Sequence, residues 1–374
     1  MNLLGFFLQK MGSLATDPIC KAHQLYRSQQ TLKPLYKNSS DIKIAQIRAA
    51  MLGGIGFYGI VGMPLGIFGI ACRKIASMLL ERPFIHIRGN APEKTLLDKK
   101  FSMLSWNICA VGGGYTISDG GVLPWPQRID TIANEILKHD TDIVCLQETI
   151  DAGSWVALVE RLRQRYAHFY VNMGNGSLVH SGLFVASKAP VSNPEFTAFP
   201  LSMLYGRSKQ SGKGFFSFDL EGASKPIASI VLSHLGHSEA PEFPEEGEVE
   251  ARRLQMEMIA QKVEQIAKDR AIVVTGDLNM DDLELSQISS RDLFTKGNIK
   301  SDTQKTWGGD EFCALLVGDK KVSGPLNLDH TLLLEGTAKS IATRYFPTGF
   351  DPKVYQSSAS SDHEAGLSEI ILNS

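Results

Sequence analysis

The order of apolar and polar positions divides this chain near residue 100. From Ala49 to Ala71 it reads AAMLGGIGFYGIVGMPLGIFGIA, 23 positions without a charge. As a helix rising 1.5 Å per residue this run reaches about 35 Å, enough to cross the hydrocarbon of a bilayer. Arg48 precedes it and Arg73 and Lys74 follow it, so both ends carry side chains able to snorkel to headgroups. Seven glycines and Pro64 lie inside the run. They permit either close helix packing, through Gly62 and Gly66, or a re-entrant bend at Pro64. Orientation stays open, because seven Lys and Arg fall on each side, over residues 1–48 and 72–100. Met1 to Met11 (MNLLGFFLQKM) is a short apolar patch that reads as a frayed terminus or a surface contact.

Beyond residue 100 the pattern changes to alternating strands and helices. Phe101–Ile108, Asp142–Leu146, His168–Met173, Gly182–Ser187, Gly214–Leu220, Ile227–Leu232, Ala271–Val274, Leu328–Leu334 and Gly366–Leu372 are short apolar runs of strand length. Arg128–His139 carries Ile129, Ile132 and Ile136 on one helical face. Trp155–Tyr166 is again helical, and so is a segment with Leu254, Met258, Ile259, Val263 and Ile266. Many strands, several helices and no internal repeat predict one layered α+β domain. The division expected is a basic region over 1–48, a membrane segment over 49–71, a linker over 72–100 and a catalytic domain over 101–374.

Charge sharpens this division. The chain has 374 residues and a net charge of -2, yet residues 1–100 hold 14 Lys and Arg against 5 Asp and Glu, so they carry +9 and the remainder -11. So acidic a catalytic region repels long nucleic acid, whose binding depends on neutralising phosphates with Lys and Arg. Long nucleic acid becomes a less natural substrate, and membrane association through one apolar segment is the expected location. The five cysteines, Cys20, Cys72, Cys109, Cys145 and Cys313, are odd in number and form no CxxC pair, so no disulfide framework is implied.

Polar groups stand at the ends of the expected strands. Asn107 closes the first and Glu148 the second; His234 ends Ile230-Val231-Leu232-Ser233. Asp277 and Asn279 end the strand from Ala271, Asp329 opens another, and Asp362-His363 precedes the last. A hard cation takes carboxylate and carboxamide oxygens, which Glu148 and Asn107 offer. A water attacking phosphorus needs a base, which His363 supplies if an acid orients it. Any one of these groups is an ordinary cap or turn residue; six at six strand ends form a set.

The series SWNI, LQET, SHL, GDLNM, LDH and SDHEA over residues 101–374 resembles the exonuclease, endonuclease and phosphatase superfamily of metal-dependent phosphoesterases. GDLNM and SDHEAGL, with a membrane segment in the same chain, are most similar to the neutral sphingomyelinases. The resemblance implies a four-layered α/β sandwich, two packed β-sheets flanked by helices, with the site at one edge. It implies Mg²⁺, with Mn²⁺ as the alternative, on Glu148 beside Asn107. It gives Asp277 and Asn279 to phosphate and the attacking water, His234 to the phosphoryl oxygens, Asp329 and His363 to the orienting acid and base, and Asp362 to the acid before that histidine. Asp277 is the alternative base. The glycine-rich loop over 110–126 and the stretch after His234 depart from the pattern. Sphingomyelin hydrolysis is therefore the expected activity, with an endonuclease, a phosphoinositide phosphatase or a silent membrane adaptor as its rivals. Lys213 is read either as a phosphate contact or as part of a solvated turn.

Overall fold

The computed structural model describes residues 3–30, 40–79, 83–96, 99–110, 125–150, 152–174, 180–238, 243–288, 294–296, 298–299, 306–307, 326–346 and 359–373. Most of the glycine-rich loop over 110–126, with Tyr115, lies outside them, as does Cys313. In chain order the elements begin with α1 (Leu3–Gln30), α2 (Asp41–Leu79), β1 (Ile85–Arg88), β2 (Lys100–Asn107), α3 (Trp125–His139), β3 (Ile143–Gln147), α4 (Ala152–Leu162), β4 (His168–Val171), β5 (Phe184–Ser187) and β6 (Val191–Ala198). They continue with β7 (Gly214–Glu221), β8 (Pro226–His234), α5 (Glu246–Glu264), β9 (Ala271–Asp277), α6 (Asp282–Ser286), β10 (Phe294–Lys296), β11 (Asn298–Ile299), β12 (Asp329–Leu334), β13 (Ser340–Phe346) and β14 (Ala365–Ile371).

The strands form two mixed sheets. One has eight strands in the order β1-β4-β5-β3-β2-β14-β13-β11, the other six in the order β10-β12-β9-β8-β7-β6. Alternation of side chains along each strand then builds three apolar layers. Met103, Cys145 and Val185 of the first sheet meet Phe216, Ile230 and Val273 of the second. On the outer face of the first sheet Leu104, Trp106 and Val144 pack on Ile129, Ile132 and Ile136 of α3 and Leu158 of α4. Outside the second, Val231, Ile272 and Val274 pack on Met256, Ile259 and Val263 of α5. The result is helix, sheet, sheet, helix, the α+β sandwich expected.

Several elements differ from the sequence reading. Residues 72–100 are not a free linker: 72–79 continue α2, and β1 pairs antiparallel with β4 from Ile85↔Val171 to Arg88↔His168. The helix through the apolar run extends well past both of its ends and passes Pro64 unbroken, so no re-entrant bend forms there. The amino-terminal patch is the start of a 28-residue helix. β6 escaped detection because it is a polar edge strand with Pro194 and a register shift between Ser192 and Glu195, as edge strands tolerate.

Gly276 sits in the middle of the crowded site-bearing strands. Its φ is +133°, and a Cβ there would collide with the carbonyl oxygen of Ser233 on β8. Gly276→Ala is therefore expected to destabilise the fold by about 2–4 kcal/mol, read as a lower urea midpoint at unchanged slope. A shift below about 0.5 kcal/mol would show that the two strands can part without cost.

Candidate active site

Parallel pairing determines which strand ends meet. β2 runs parallel to β3 and β8 parallel to β9, so Asn107, Glu148, His234 and Asp277 all emerge at one rim. His234 and Asp277 are direct register partners. β12 is antiparallel to β9 and brings its first residue, Asp329, opposite Asp277. β14 is antiparallel to β2, so the chain just before it returns to the same rim. There the Trp106 indole donates to the His363 carbonyl at 2.9 Å and the Ser361 hydroxyl to the Asn107 carbonyl at 2.6 Å.

The backbone is unusual where the polar groups leave the strands. Cys109, Glu148 and Asn279 have φ of 49°, 62° and 51°. Asn tolerates that left-handed region; Cys and Glu adopt it only where their surroundings hold them. The Glu148 turn is held by Ala110 N–H donating to its carbonyl at 3.0 Å. Next to it Thr149 donates its N–H and its hydroxyl to the Gly182 carbonyl, both at 2.9 Å.

Asn107 stands between two acids. Its Nδ2 donates to Glu148 Oε1 at 3.1 Å and Asp277 Oδ2 at 2.8 Å, while its Oδ1 accepts from Cys109 N–H at 3.0 Å. The backbone donor fixes which way the amide points, so Asn107 presents N–H and not oxygen to the carboxylates. In this arrangement it bridges the two acids.

The histidines face the same acids. His363 Nδ1 pairs with Asp329 Oδ2 at 2.8 Å, and its Nε2 lies 3.8 Å from Asp277 Oδ2. His234 Nε2 lies 3.5 Å from Asp277 Oδ2 and 3.9 Å from Glu148 Oε1. Asn279 donates from its backbone to Asp277 Oδ1 at 2.9 Å and from Nδ2 to the Leu235 carbonyl at 3.3 Å. Asp362 is half-buried and accepts from Ser361 Oγ at 3.4 Å. All eight residues singled out in the sequence thus stand at one rim. His330, by contrast, is spent on the Met280 carbonyl at 2.8 Å, and His237 lies 3.4 Å from Ser208 Oγ.

Charge accounts for the protonation states. Burial, reinforced by Asp362, pushes the Glu148 carboxyl up to about 7. Burial likewise raises Asp277, against the pull of His363. Burial works against a charged His363, but Asp329, Asp277 and Asp362 together lift it well above the usual imidazole value. His234 goes the other way, held neutral by burial and by the nearby Lys213. Two cations the sequence left without a settled role complete the site. Arg128 is buried and donates to the carbonyls of Ile108 at 3.0 Å, Cys109 at 2.6 Å and Ser360. It clamps the segments that carry Asn107 and His363. Its signal was present, an arginine on the apolar face of α3 beside Ile129 and Ile132. Lys213 is buried and donates to the carbonyls of His234 at 3.2 Å and Leu235 at 2.5 Å, so it is no solvated turn and its ammonium is engaged below the rim.

The donor set suits a hard divalent cation. Glu148, His234 and Asp277 form one group whose ligand atoms lie within 4.8 Å of one another, and Asp277, Asp329 and His363 form a second. Asp329 Oδ1 is buried without a hydrogen-bond partner among the described residues. Carboxylate oxygens held this close without a cation repel one another, and burial adds to the cost.

A stability measurement follows from Glu148. Folded, it keeps its proton up to about pH 7, whereas the unfolded reference is 4.5. The folded state therefore binds more protons across that window, and the stability this group contributes falls as pH rises through it. Metal-free Glu148→Gln should melt higher than the parent above pH 7 and nearly equal to it below pH 4.5. Mg²⁺ should raise the melting temperature of the parent but not of the variant. Equal Mg²⁺ stabilisation of both would remove Glu148 from the cation.

Comparison with known proteins agrees with this geometry. Residues 104–363 match the Endonuclease/Exonuclease/phosphatase family. Among curated relatives, the CCR4-Not complex 3'-5'-exoribonuclease subunit Ccr4 of Emericella nidulans is 36% identical over 94 residues, 22% of this chain but only 14% of that protein. Among solved structures, beta toxin from Staphylococcus aureus superposes with a TM-score of 0.60 at 18% identity, over 72% of this chain and 99% of that one. Sphingomyelinase C from Streptomyces griseocarneus gives 0.55 at 17% identity, over 73% and 99%. Caenorhabditis elegans TDP2 gives 0.52 at 18% identity, over 74% and 99%. The structural likenesses speak for the fold, and the family match spans more than two thirds of the sequence. The chain therefore belongs to the Endonuclease/Exonuclease/phosphatase family.

Proposed function

We propose that this is a membrane-associated, Mg²⁺-dependent phosphodiesterase that releases the headgroup of a phospholipid, sphingomyelin being the first candidate. The observation that carries the reading is the continuous network from Asp329 through His363 to Asp277, Asn107 and Glu148 at one rim of the sandwich. Glu148 and Asp277 would hold the cation, with Asn107 spacing them, and Mg²⁺ bound there would supply positive charge against the phosphoryl oxygens as negative charge develops. Asp329 orients the His363 ring through Nδ1 and leaves Nε2 facing the site. A cation on Glu148 and Asp277 would offset the acids that hold the imidazole protonated, and in its neutral form Nε2 would take the proton of the attacking water. His234 and Asn279 bind the phosphoryl oxygens, and Asp362 adds to the field around His363. A second assignment of the base, to Asp277, is favoured by its raised protonation equilibrium and by its 3.8 Å approach to His363 Nε2.

A lipid substrate is supported by the exposed apolar helix in the same chain and by the acidic charge beyond residue 100. One helix, Asp41–Ala76, is long and apolar enough to cross a membrane by length and composition. The nuclease reading draws on the Ccr4 relatives and on the likeness to TDP2.

His363→Ala is expected to lower turnover by about 10²–10⁴-fold while the protein stays folded, and Asp329→Asn by a smaller factor, since it misorients the ring without deleting it. Were the acidic limb of the rate profile to persist unchanged in His363→Ala, the base would be Asp277. The substrate is decided by a panel of sphingomyelin, phosphatidylcholine, phosphoinositides, abasic DNA and oligoadenylate with the full-length protein in Mg²⁺. Release of phosphocholine from sphingomyelin supports the proposal; rapid cleavage of a nucleic acid with no attack on any lipid replaces it by the nuclease reading.

A further inference from the structure

The two amino-terminal helices pack against each other along a seam of small residues, and the seam bears on how the chain meets a membrane. A Cβ on Gly62 of α2 would lie 2.9 Å from the Ile19 backbone nitrogen of α1, and one on Gly69 would lie 2.7 Å from the Gly12 carbonyl. A Cβ on Gly54 would meet Leu25 Cδ1 at 2.8 Å, and one on Gly12 would meet Arg73 Cγ at 2.7 Å. Contacts that pair 12 with 69 and 73, 19 with 62, and 25 with 54 make the helices antiparallel. They bring residues 12–25 of α1 alongside 54–73 of α2, which is most of the apolar run.

That stretch of α1 contains Asp17, Lys21 and His23, with Arg27 just beyond. If α2 crossed a bilayer with α1 attached, those residues would be drawn to the depth of the hydrocarbon, where charges are strongly disfavoured. The faces point to a different arrangement. On α2 the side turned from the seam carries Phe57, Ile60, Ile67 and Met78, each more than 60% exposed. On α1, Leu4, Phe7 and Leu14 recur at helical spacing and are more than 50% exposed. Of the 23 large apolar side chains exposed among the described residues, 17 lie on these two helices. Lys43 and Arg48 are exposed ahead of Phe57, and Lys74 is exposed between Ile67 and Met78, within a segment of charge +9. A lysine among exposed apolar side chains is tolerated where its ammonium can reach headgroups, and so basic a segment is drawn to an anionic lipid surface.

We propose that α1 and α2 lie side by side in the plane of one leaflet of a lipid bilayer, as an interfacial paddle, and that α2 does not span. The proposal rests on the membrane-associated reading above and adds its topology. The seam lets α2 turn its apolar side into lipid without carrying the charged positions of α1 across the hydrocarbon. The chain then reaches the membrane from one side only.

One tryptophan added at a time, as Phe57→Trp, Ile67→Trp or Met78→Trp in the full-length chain, tests the arrangement, because all three positions are already exposed. The unsubstituted chain has four tryptophans, Trp106, Trp125, Trp155 and Trp307, and its quenching is the reference subtracted from each variant. The variants are bound to vesicles of phosphatidylcholine and phosphatidylserine whose acyl chains carry bromine at a shallow or a deep position. In-plane helices put the three tryptophans at one depth, so the shallow-to-deep quenching ratio is the same at all of them and favours the shallow probe. A span sets Phe57 and Met78 about 31 Å apart along the membrane normal, so the ratio would differ from site to site and overturn the proposal. Absence of quenching at every site, with or without self-association, would overturn the lipid assignment. Turnover of a water-soluble phosphodiester by the unsubstituted chain is measured in the same vesicles, so failure of the catalytic reading shows there and not in the quenching.

Discussion

Keeping four acids within one rim is the constraint on which the rest of this structure depends. Glu148, Asp277, Asp329 and Asp362 crowd a pocket in which each charge is costly, and the Asn107 amide is the group that lets two of them coexist. It donates to both acids at once because Cys109 N–H fixes its oxygen on the far side. The backbone turns left-handed at Cys109, directly after that bond, so an unfavourable conformation lies where two acids are held apart.

The remaining cations are arranged around this pocket and not in it. Arg128 and Lys213 both donate to backbone carbonyls, those of Ile108, Cys109 and Ser360 in one case and of His234 and Leu235 in the other. They hold the strand exits in register without filling the position where a metal and a phosphate would sit. Burial, reinforced by Lys213, lowers the affinity of His234 for a proton, whereas the acids raise that of His363. Two histidines at the same rim are therefore given opposite protonation preferences by their surroundings, the separation that acid–base chemistry uses.

The membrane question turns on the same balance of burial and charge. An uncharged run of 23 residues reads as a span when it is considered alone. Beside α1 it becomes one half of a two-helix unit, with its glycines turned to the partner. Composition makes the run apolar; packing decides which of its faces stay exposed.

Much of the catalytic part was legible in the sequence because its signals are local. Apolar runs of strand length identified β2, β3, β8, β9 and β14, and helical spacing identified α3 and α5, since burial of one face imposes those periods. The motif residues stand at strand ends for the same reason, and all eight of them reach one rim. What escaped included elements whose stability comes from neighbours: β1, which needs β4; β6, a polar edge; β13, the partner of β14; and α1, whose helix is supported by the glycine seam of α2. The sequence by itself determined the set of side chains and their positions at strand exits. Only the tertiary structure decided that Asn107 turns its nitrogen and not its oxygen to the acids, that Lys213 is buried under His234, and that α2 is never alone. Each of those depends on contacts between residues far apart in the chain, which no local pattern encodes.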